Sequence, residues 1–307
     1  MNNKLIKSFF FFLTFLVFTS HIAEAKLYRI GDKVENEIKF SKKFKLPLVN
    51  GDWYVVDRYG YSYYFLQFKG VAVARIENKE IMEAIYVERA NLSGKEMAYI
   101  DNSVISFIFK DKYDGCYQRP EYYIVEVYKR GSTHNCLVAR HYETEKELYT
   151  PDDPLRGSAQ IKKWINDNSI KLPPITFHSF HSYFSRLNRG EWYAIQYMAN
   201  PKLYNSPKLK YLTEETSEFH KAIISEYPDH KITMDKWLSV SSKRHRYLEK
   251  LFKAKKNHLL DLDKYLINSE INKNSNTVEQ LEKLNQLLKS GVLTEDEFKK
   301  AKDKILN

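Results

Sequence analysis

Residues 71–87 read VAVARIENKEIMEAIYV, and their pattern indicates the fold class. Two runs of β-branched and aromatic residues flank the dipeptide Asn78-Lys79, a pattern typical of a β-hairpin. Runs of the same kind recur between residues 45 and 149, among them Trp53–Val56, Tyr61–Phe68 and Val104–Phe109.

Short polar or glycine-containing segments separate these runs. Gly60, Gly70, Ser93-Gly94 and Asp101-Asn102 stand between them, and turns favour these residue types. Strands joined by such short connections are antiparallel neighbours. We therefore expect an antiparallel β-rich body, closed as a sandwich or an open barrel, because one face of the sheet must be covered.

The second half of the chain turns from a strand pattern to a helix pattern. Helical spacing of apolar residues is found in residues 158–170, and strand-like runs follow at 175–184 and 192–198. Apolar residues then recur at helical spacing in residues 213–227 and, as one long stripe, in residues 234–266. The pattern predicts an α+β protein with a helical second half.

Five parts are expected along the chain. They are a signal peptide (1–25), a β-rich domain (26–157), an α/β-to-helical region packed on it (158–267), a linker (268–276) and a C-terminal helical hairpin (277–307). The linker reads NSEINKNSN and has no apolar period, which is typical of a connecting segment.

Composition limits the classes of protein that this chain can represent. Of its 307 residues 29% are charged and 43% are hydrophobic, which is ordinary for a folded globular protein and excludes collagen-like and low-complexity chains. Two Cys exclude a disulfide framework. The formal charge is +10, but 37 Lys against 12 Arg, with abundant Asn, Ile, Phe and Tyr, indicates an AT-rich codon bias rather than a nucleic-acid-binding face.

The N-terminus has the three-part layout of a secretory signal peptide. Lys4 and Lys7 precede the run Phe9–Phe18, and the small residues of Ala23–Ala25 follow. The run is shorter than the roughly 20 apolar residues of a membrane span. We therefore expect cleavage after Ala25 and a periplasmic or secreted protein with a formal charge of +9, and an uncleaved anchor is the alternative.

Export favours a disulfide bond between the two cysteines. Two strands are expected in this region, residues 122–128 and 136–142. Cys116 lies before the first strand, and Cys136 is the first residue of the second. The alternative is a metal site that adds His134, but this set lacks the fourth ligand of a structural zinc site. We expect the disulfide Cys116–Cys136, and no motif for a metal or other cofactor is present.

The C-terminal segment carries the most specific pattern of the chain. Thr277–Gln280 and Thr294–Glu297 both match the capping box that begins a helix, and Gly291 can end the first of two helices. The expected apolar faces contain Leu281, Leu284, Leu288, Leu293, Phe298 and Ile305.

With these residues, segment 277–307 closely resembles the SHOCT domain, a short C-terminal helical module of many bacterial proteins. The resemblance implies an oligomerisation or interaction module without catalysis, whose partner is the protein itself or another envelope protein. About 30 residues bury too little surface to be stable alone, so the apolar faces must pack on another copy, a partner or, as the alternative, their own chain.

His178 and His181 are the candidates for catalysis or metal binding. On a strand, residues three apart face opposite sides, so the two rings converge only on a helix. Ser182 and Ser185 are candidate nucleophiles beside His181, but no Gly-x-Ser-x-Gly, HExxH or phosphate-binding loop is present. An exported hydrolase is therefore an alternative to a binding protein.

Two segments begin with the same Gly-x-Trp pattern, at residues 51–56 and 190–195. The first resembles the start of lipocalins, β-barrels that hold small apolar ligands, but the pattern is also a common way for a turn to enter a strand. A β-barrel carrier of a small apolar ligand is thus a further alternative.

The strongest charge cluster lies between residues 236 and 256. It suits an anionic membrane surface or envelope polymer, whereas export argues against nucleic acid as the partner. A solvated outer face of a helix that packs on the core is the simpler interpretation. The basic face consists of Lys236, Lys243, Arg244, Arg246, Lys250, Lys253, Lys255 and Lys256.

The sequence as a whole predicts an exported bacterial envelope protein that acts in binding or assembly through a C-terminal SHOCT module. Neither a reaction nor a ligand follows from the sequence.

Overall fold

The computed structural model describes residues 28–39, 44–63, 66–91, 116–130, 133–148, 158–185, 191–253, 281 and 284–306. The expected signal peptide (1–25), the expected strand at 104–109 and the linker (268–276) lie outside these residues. None of the described helices is both long enough and apolar enough to cross a membrane.

The described residues form ten strands and five helices. The strands are β1 (Lys33–Val34), β2 (Glu37–Lys39), β3 (Lys45–Pro47), β4 (Trp53–Tyr63), β5 (Leu66–Glu77), β6 (Glu80–Asn91), β7 (Ile124–Arg130), β8 (Thr133–Glu143), β9 (Ile175–Ser185) and β10 (Glu191–Ala199). The helices are α1 (Thr144–Leu148), α2 (Ser158–Asp167), α3 (Pro228–Lys253), α4 (284–289) and α5 (Glu295–Leu306), with 3-10 turns at Pro201–Tyr204 and Ile224–Glu226.

Eight strands form one antiparallel sheet in the order β1-β4-β5-β6-β10-β9-β8-β7, and β2 pairs with β3 in a separate hairpin. The α+β class with an antiparallel body is therefore confirmed. β9 and β10 come from the second half of the chain and lie between β6 and β8, so both halves build the same sheet. Among the described residues, helices and the small β2–β3 hairpin cover its faces.

Of the turns that the sequence predicts along β4, β5 and β6, one is confirmed and two are wrong. Asn78 and Lys79 have φ of 50° and 61° and form the two-residue turn between β5 and β6, as the sequence predicts. The sequence predicts turns at Gly60 and Gly70, but both residues lie inside strands, in β4 and β5. A Cβ on Gly70 would lie 2.1 Å from the ring of Tyr59, its cross-strand neighbour, so the glycine makes room for that ring.

The first face of the sheet packs against α3. Pro228 occupies the first helical position, where its missing N–H is not needed. Buried residues of α3 recur every three or four positions, which directs one side of the helix to the sheet. They are His230, Thr233, Met234, Trp237, Val240, Ser241, Arg244, His245, Tyr247 and Leu248.

Residues 213–227 depart from the expected helix. They form turns, with a 3-10 turn only at Ile224–Glu226. The side chain of Phe219 is fully buried at an edge-to-face contact with Phe177, and the backbone carbonyl of Phe219 accepts a hydrogen bond from Tyr123 Oη at 2.9 Å. The conformation of this segment therefore follows from its tertiary contacts and not from its apolar spacing.

The second face of the sheet packs against α2. Ile161 and Ile165 of this helix are buried against Val56, Ala74 and Met198 of the sheet. Each face of the central strands is therefore covered by a helix, which leaves little room for a wide cleft on either side.

Candidate functional site

A buried ion-pair network lies where α3 crosses the first face of the sheet. Arg244 Nη2 donates to Glu83 Oε1 at 3.0 Å, and Arg75 Nε donates to the other oxygen of Glu83 at 3.1 Å. Arg75 also pairs with Glu77, on the more exposed side of the network. The side chains of Arg244, Glu83 and Arg75 are 7%, 8% and 12% exposed.

The sheet positions the acidic member of this network. Glu83 on β6 stands opposite Arg75 on β5 and opposite Ala199 on β10, so it occupies the centre of the sheet. Removing one partner of such a buried pair costs about 3–5 kcal/mol of stability, because the other charge is left without compensation.

The guanidinium group of Arg244 is only partly satisfied. Its Nε and Nη1 atoms are buried and have no hydrogen-bond acceptor among the described protein groups. The group lies over the ring of Tyr197, with Cζ 4.5 Å from the ring centroid, and 5.6 Å from that of Trp237. Tyr204 Oη and Trp237 Nε1 are likewise buried without a hydrogen-bond partner among the described groups.

A small cavity adjoins Arg244 beneath the β2–β3 hairpin. Strands β3, β4, β6 and β10 and helix α3 all contribute to its wall. The lining residues are Leu46, Pro47, Val49, Trp53, Glu83, Ile85, Tyr197, Arg244 and Tyr247. Burial raises the pKa of Tyr247 to about 12 and raises that of Tyr197 further, so both hydroxyls are neutral at physiological pH.

A second buried polar cluster joins β9 to α3. The Oγ of Ser179 is 2.9 Å from Nε2 of His181, and Nδ1 of His181 is 3.2 Å from Nδ1 of His245. Burial lowers the pKa of His245 to about 4, and burial is also the largest cause of the strongly lowered pKa of His181, followed by the charges of His245 and Arg244. Both rings are therefore neutral at pH 7.

This cluster contains the hydroxyl and imidazole groups of a proton relay, but the groups are buried away from any substrate. Ser179 and His181 are 0% and 1% exposed. The geometry therefore fits a structural role, in which the three side chains satisfy one another between helix and sheet.

His178, the other predicted histidine, lies on the opposite face of β9. Its Nε2 atom is 3.2 Å from Oε1 of Gln196, and its ring lies 5.2 Å from that of Tyr142. The two histidines therefore do not share a cleft. Ser182, a candidate partner of His181, also lies on the opposite face, where its Oγ accepts a hydrogen bond from Trp192 Nε1 at 3.0 Å. Ser179 contacts His181 instead.

Cys116 and Cys136 form the expected disulfide bond. Tyr122 and Val138 are buried around it, and His134 Nε2 is 3.8 Å from Cys116 Sγ. The two sulfurs and a ring nitrogen of His134 lie within 4.8 Å of one another, which is the arrangement that the metal-site alternative required. The covalent bond between the sulfurs removes both thiolate ligands that this alternative needs.

The expected basic face needs one correction. Arg244 is buried and points to the sheet, because it follows Trp237 by seven residues and precedes Leu248 by four, on the apolar stripe of α3. Lys236, Arg246, Lys250 and Lys253 are exposed and Lys243 is half-buried, whereas Lys255 and Lys256 lie outside the described residues.

The C-terminal helices α4 and α5 form the hairpin that the sequence predicts. Gly291 has φ of +73° after α4 and its N–H bonds to the carbonyl of Leu288 at 3.0 Å. Thr294 and Glu297 form the capping box: the Glu297 carboxylate accepts from Thr294 N at 3.0 Å, and Thr294 Oγ1 accepts from Glu297 N at 3.3 Å. The first capping box, at 277–280, lies outside the described residues.

Comparison with protein families agrees with this hairpin. Residues 279–306 match the SHOCT family, described as a short C-terminal domain. The match confirms the resemblance that the sequence indicates and defines a small interaction-type module at the end of an α+β body. Comparison with characterised proteins and with solved structures found no match for the chain.

Proposed function

We propose that this chain is an exported bacterial envelope protein that assembles with a second copy of itself through the SHOCT hairpin. The match at residues 279–306 carries the proposal. Two further observations support export: the signal-like residues 1–25, and the disulfide Cys116–Cys136, a bond that persists in oxidising compartments.

The surface of the hairpin supports the association step. Val292 and Leu287 are 67% and 41% exposed, and no side chain between residues 284 and 303 is fully buried. Leu284, Leu288 and Leu293 are half-buried, although they are the residues expected at an apolar contact. A module of this size gains stability when such residues are covered by a partner.

The charge pattern of α5 favours a second copy as that partner. The helix begins with the acidic residues 295–297 and continues with Lys299, Lys300, Lys302 and Lys304, among which Asp303 is the one acidic residue. When two copies of the helix pack antiparallel about a two-fold axis, the acidic turn of each lies opposite the basic part of the other. Such complementary charges favour the antiparallel register over the parallel one.

Measurement of the mass in solution tests this proposal. The chain without residues 1–25 is compared with a shorter chain that ends at Asn276, by sedimentation over micromolar concentrations. We expect a dimer or larger assembly for the first and a monomer for the second. The change Val292→Glu places a charge at an exposed apolar position in the turn between α4 and α5, and it should weaken the association without unfolding either helix.

Lys236→Glu is the matched control, because it changes an exposed charge on α3 and leaves the hairpin intact. It should associate like the unmodified chain. A monomer for both chain lengths at every concentration contradicts the proposal.

A further inference from the structure

Three groups that can bind a metal ion meet at the disulfide bond of the β7–β8 hairpin. His134 and Cys136 are two residues apart on β8, so their side chains lie on the same face of that strand. Cys116 approaches them from the segment before β7. The two sulfurs and a ring nitrogen of His134 lie within 4.8 Å of one another, and all three residues are buried.

The distances within this set suit an ion bound by two thiolates and one imidazole. Nε2 of His134 is 3.8 Å from Sγ of Cys116. Metal–sulfur and metal–nitrogen bonds of about 2.3 Å and about 2.0 Å, meeting at about 120°, place such atoms about 3.7 Å apart. Two sulfurs on the same ion are about 4 Å apart. Once the S–S bond is open, side-chain rotation can provide that separation, because the Cα atoms of the two cysteines are 6.1 Å apart.

The surroundings of the set favour a soft ion with three ligands. Thiolates select Cu(I), Zn²⁺ or iron–sulfur clusters, and Cu(I) is satisfied by three soft ligands. Zn²⁺ requires a fourth ligand or an open position for water. Among the described residues, the set includes no fourth His, Cys, Asp or Glu. Tyr122 and Val138 are buried around it, and Val125 and Phe180 pack on them, which disfavours a bound water.

We propose that this hairpin is a redox-controlled Cu(I) site, in which the reduced forms of Cys116 and Cys136 and the imidazole of His134 bind the ion. A dithiol reductant opens the site: the S–S bond takes up two electrons and two protons to become two thiols, and the dithiol becomes a disulfide. Cu(I) then displaces the two thiol protons and binds Nε2 of the neutral imidazole. Exchange with an external disulfide as the oxidant re-forms the protein disulfide, takes up two protons and releases Cu(I).

The placement of the two cysteines permits this exchange. Cys136 is held in β8, between β7 and β9. Cys116 belongs to residues 116–123, which are outside the strands. A local opening of this segment exposes the sulfur of Cys116 to the reductant while the sheet stays paired. The site is separate from the SHOCT hairpin, so the two proposals can fail independently.

Competition with the chromophoric chelator bicinchoninate measures the binding, in the absence of oxygen. The chain without residues 1–25 is reduced with dithiothreitol, the dithiothreitol is removed, and the Cu(I)–bicinchoninate complex is added as the probe. The loss of colour should correspond to one Cu(I) per reduced chain, and equimolar Zn²⁺ should not displace the ion. The oxidised chain is the matched control and should take up no Cu(I), because it has no thiolate ligands.

Two variants locate the ligands. Cys116→Ser should abolish the uptake of Cu(I). His134→Asn should weaken binding about tenfold or more, since a change to an outer partner of a metal ligand already has an effect of about that size. His220→Asn is the matched control, because it removes a half-buried imidazole that contacts His141 and leaves the three ligands intact; it should bind Cu(I) normally.

Thermal unfolding keeps the test decisive if the reduced chain is unstable. Cu(I) should raise the melting temperature of the reduced chain by about 5 °C at about a hundred times the dissociation constant. If reduction alone unfolds the chain, Cu(I) should restore its near-ultraviolet circular dichroism.

Four results would each overturn the inference. They are a reduced chain that takes up no Cu(I), an oxidised chain that takes up as much as the reduced one, displacement of Cu(I) by equimolar Zn²⁺, and binding by His134→Asn as tight as that of the unmodified chain. A reduced chain that Cu(I) neither stabilises nor refolds contradicts it equally.

Discussion

Lowering the pH from 7 to 4 should destabilise the protein through its buried imidazoles. Burial lowers the pKa of His245 and of His141 from 6.5 to about 4. Between these two values the unfolded chain binds more protons than the folded chain, so stability rises with pH in this window. The stabilisation is fully present above pH 6.5 and is lost as the pH falls toward 4.

The magnitude follows from the size of these pKa differences. A pKa difference of about 2.5 corresponds to about 3 kcal/mol, so His245 and His141 together account for a loss of about 6 kcal/mol. His181 acts in the same direction, since burial also lowers its pKa.

The contribution of Asp57 to the free energy of unfolding changes with pH in the opposite direction. Burial raises the pKa of its carboxyl group from 3.8 to about 6, and the hydrogen bond from the Arg58 N–H only partly offsets the effect of burial. This contribution is present below pH 3.8 and is lost as the pH rises through 6, so acidification restores about 2 kcal/mol. The histidines outweigh it, and the net loss of about 4 kcal/mol is a large part of a typical folding stability.

The neighbouring charges do not reverse this result. Next to His245, Glu249 raises and Arg246 lowers the pKa of the ring, and burial exceeds both. Next to His141, the hydrogen bond with the Glu214 carbonyl at 3.0 Å raises the pKa, but burial again has the larger effect.

Urea unfolding at several pH values between 4.5 and 7 checks this prediction. The free energy of unfolding should fall steadily as the pH falls, and His245→Gln should reduce the slope by up to about 1.4 kcal/mol per pH unit, the value for one proton. Asp57→Asn is the opposing control and should make the loss larger. A free energy of unfolding that is constant or higher at pH 4.5, or an unchanged slope in His245→Gln, would show that protonation of the buried imidazoles does not destabilise the protein.

Two further predictions concern the sheet. Replacing Cys116 and Cys136 by Ser should lower the free energy of unfolding by about 3 kcal/mol, the chain-entropy value for a 20-residue loop, and an unchanged urea midpoint would show that the bridge does not constrain the unfolded chain. Gly70→Ala should cost about 1–3 kcal/mol because the new Cβ meets the ring of Tyr59. The same change in a Tyr59→Ala background should cost less, and equal costs in the two backgrounds would rule out the ring contact as the cause.

Local sequence patterns were sufficient where the structure depends on neighbouring residues. The turn at Asn78-Lys79 and the capping box of Thr294 and Glu297 each need only a few consecutive residues, and both are present. The disulfide is also predictable, because the chain has only two cysteines, one before the β7–β8 hairpin and one in its return strand.

Other features could not be predicted from the sequence, because they depend on contacts between residues that are far apart along the chain. Gly60 and Gly70 look like turn residues, but the long pairing of β4 with β5 and the ring of Tyr59 place them inside strands. The apolar spacing of residues 213–227 predicts a helix, whereas the segment forms turns that bury Phe219 against the sheet. In both cases contacts between distant residues outweigh local preference.

The α+β class, the disulfide and the SHOCT hairpin follow from the amino-acid sequence, because periodicity, cysteine number and capping motifs are properties of short stretches. The sequence also indicates that Arg244 is buried, since this residue lies on the apolar stripe of α3. Only the tertiary structure paired that arginine with Glu83, placed β9 and β10 inside the sheet, and separated His178 from His181. These features need the folded chain, because a strand order and a charge pair 161 residues apart depend on how the whole chain packs.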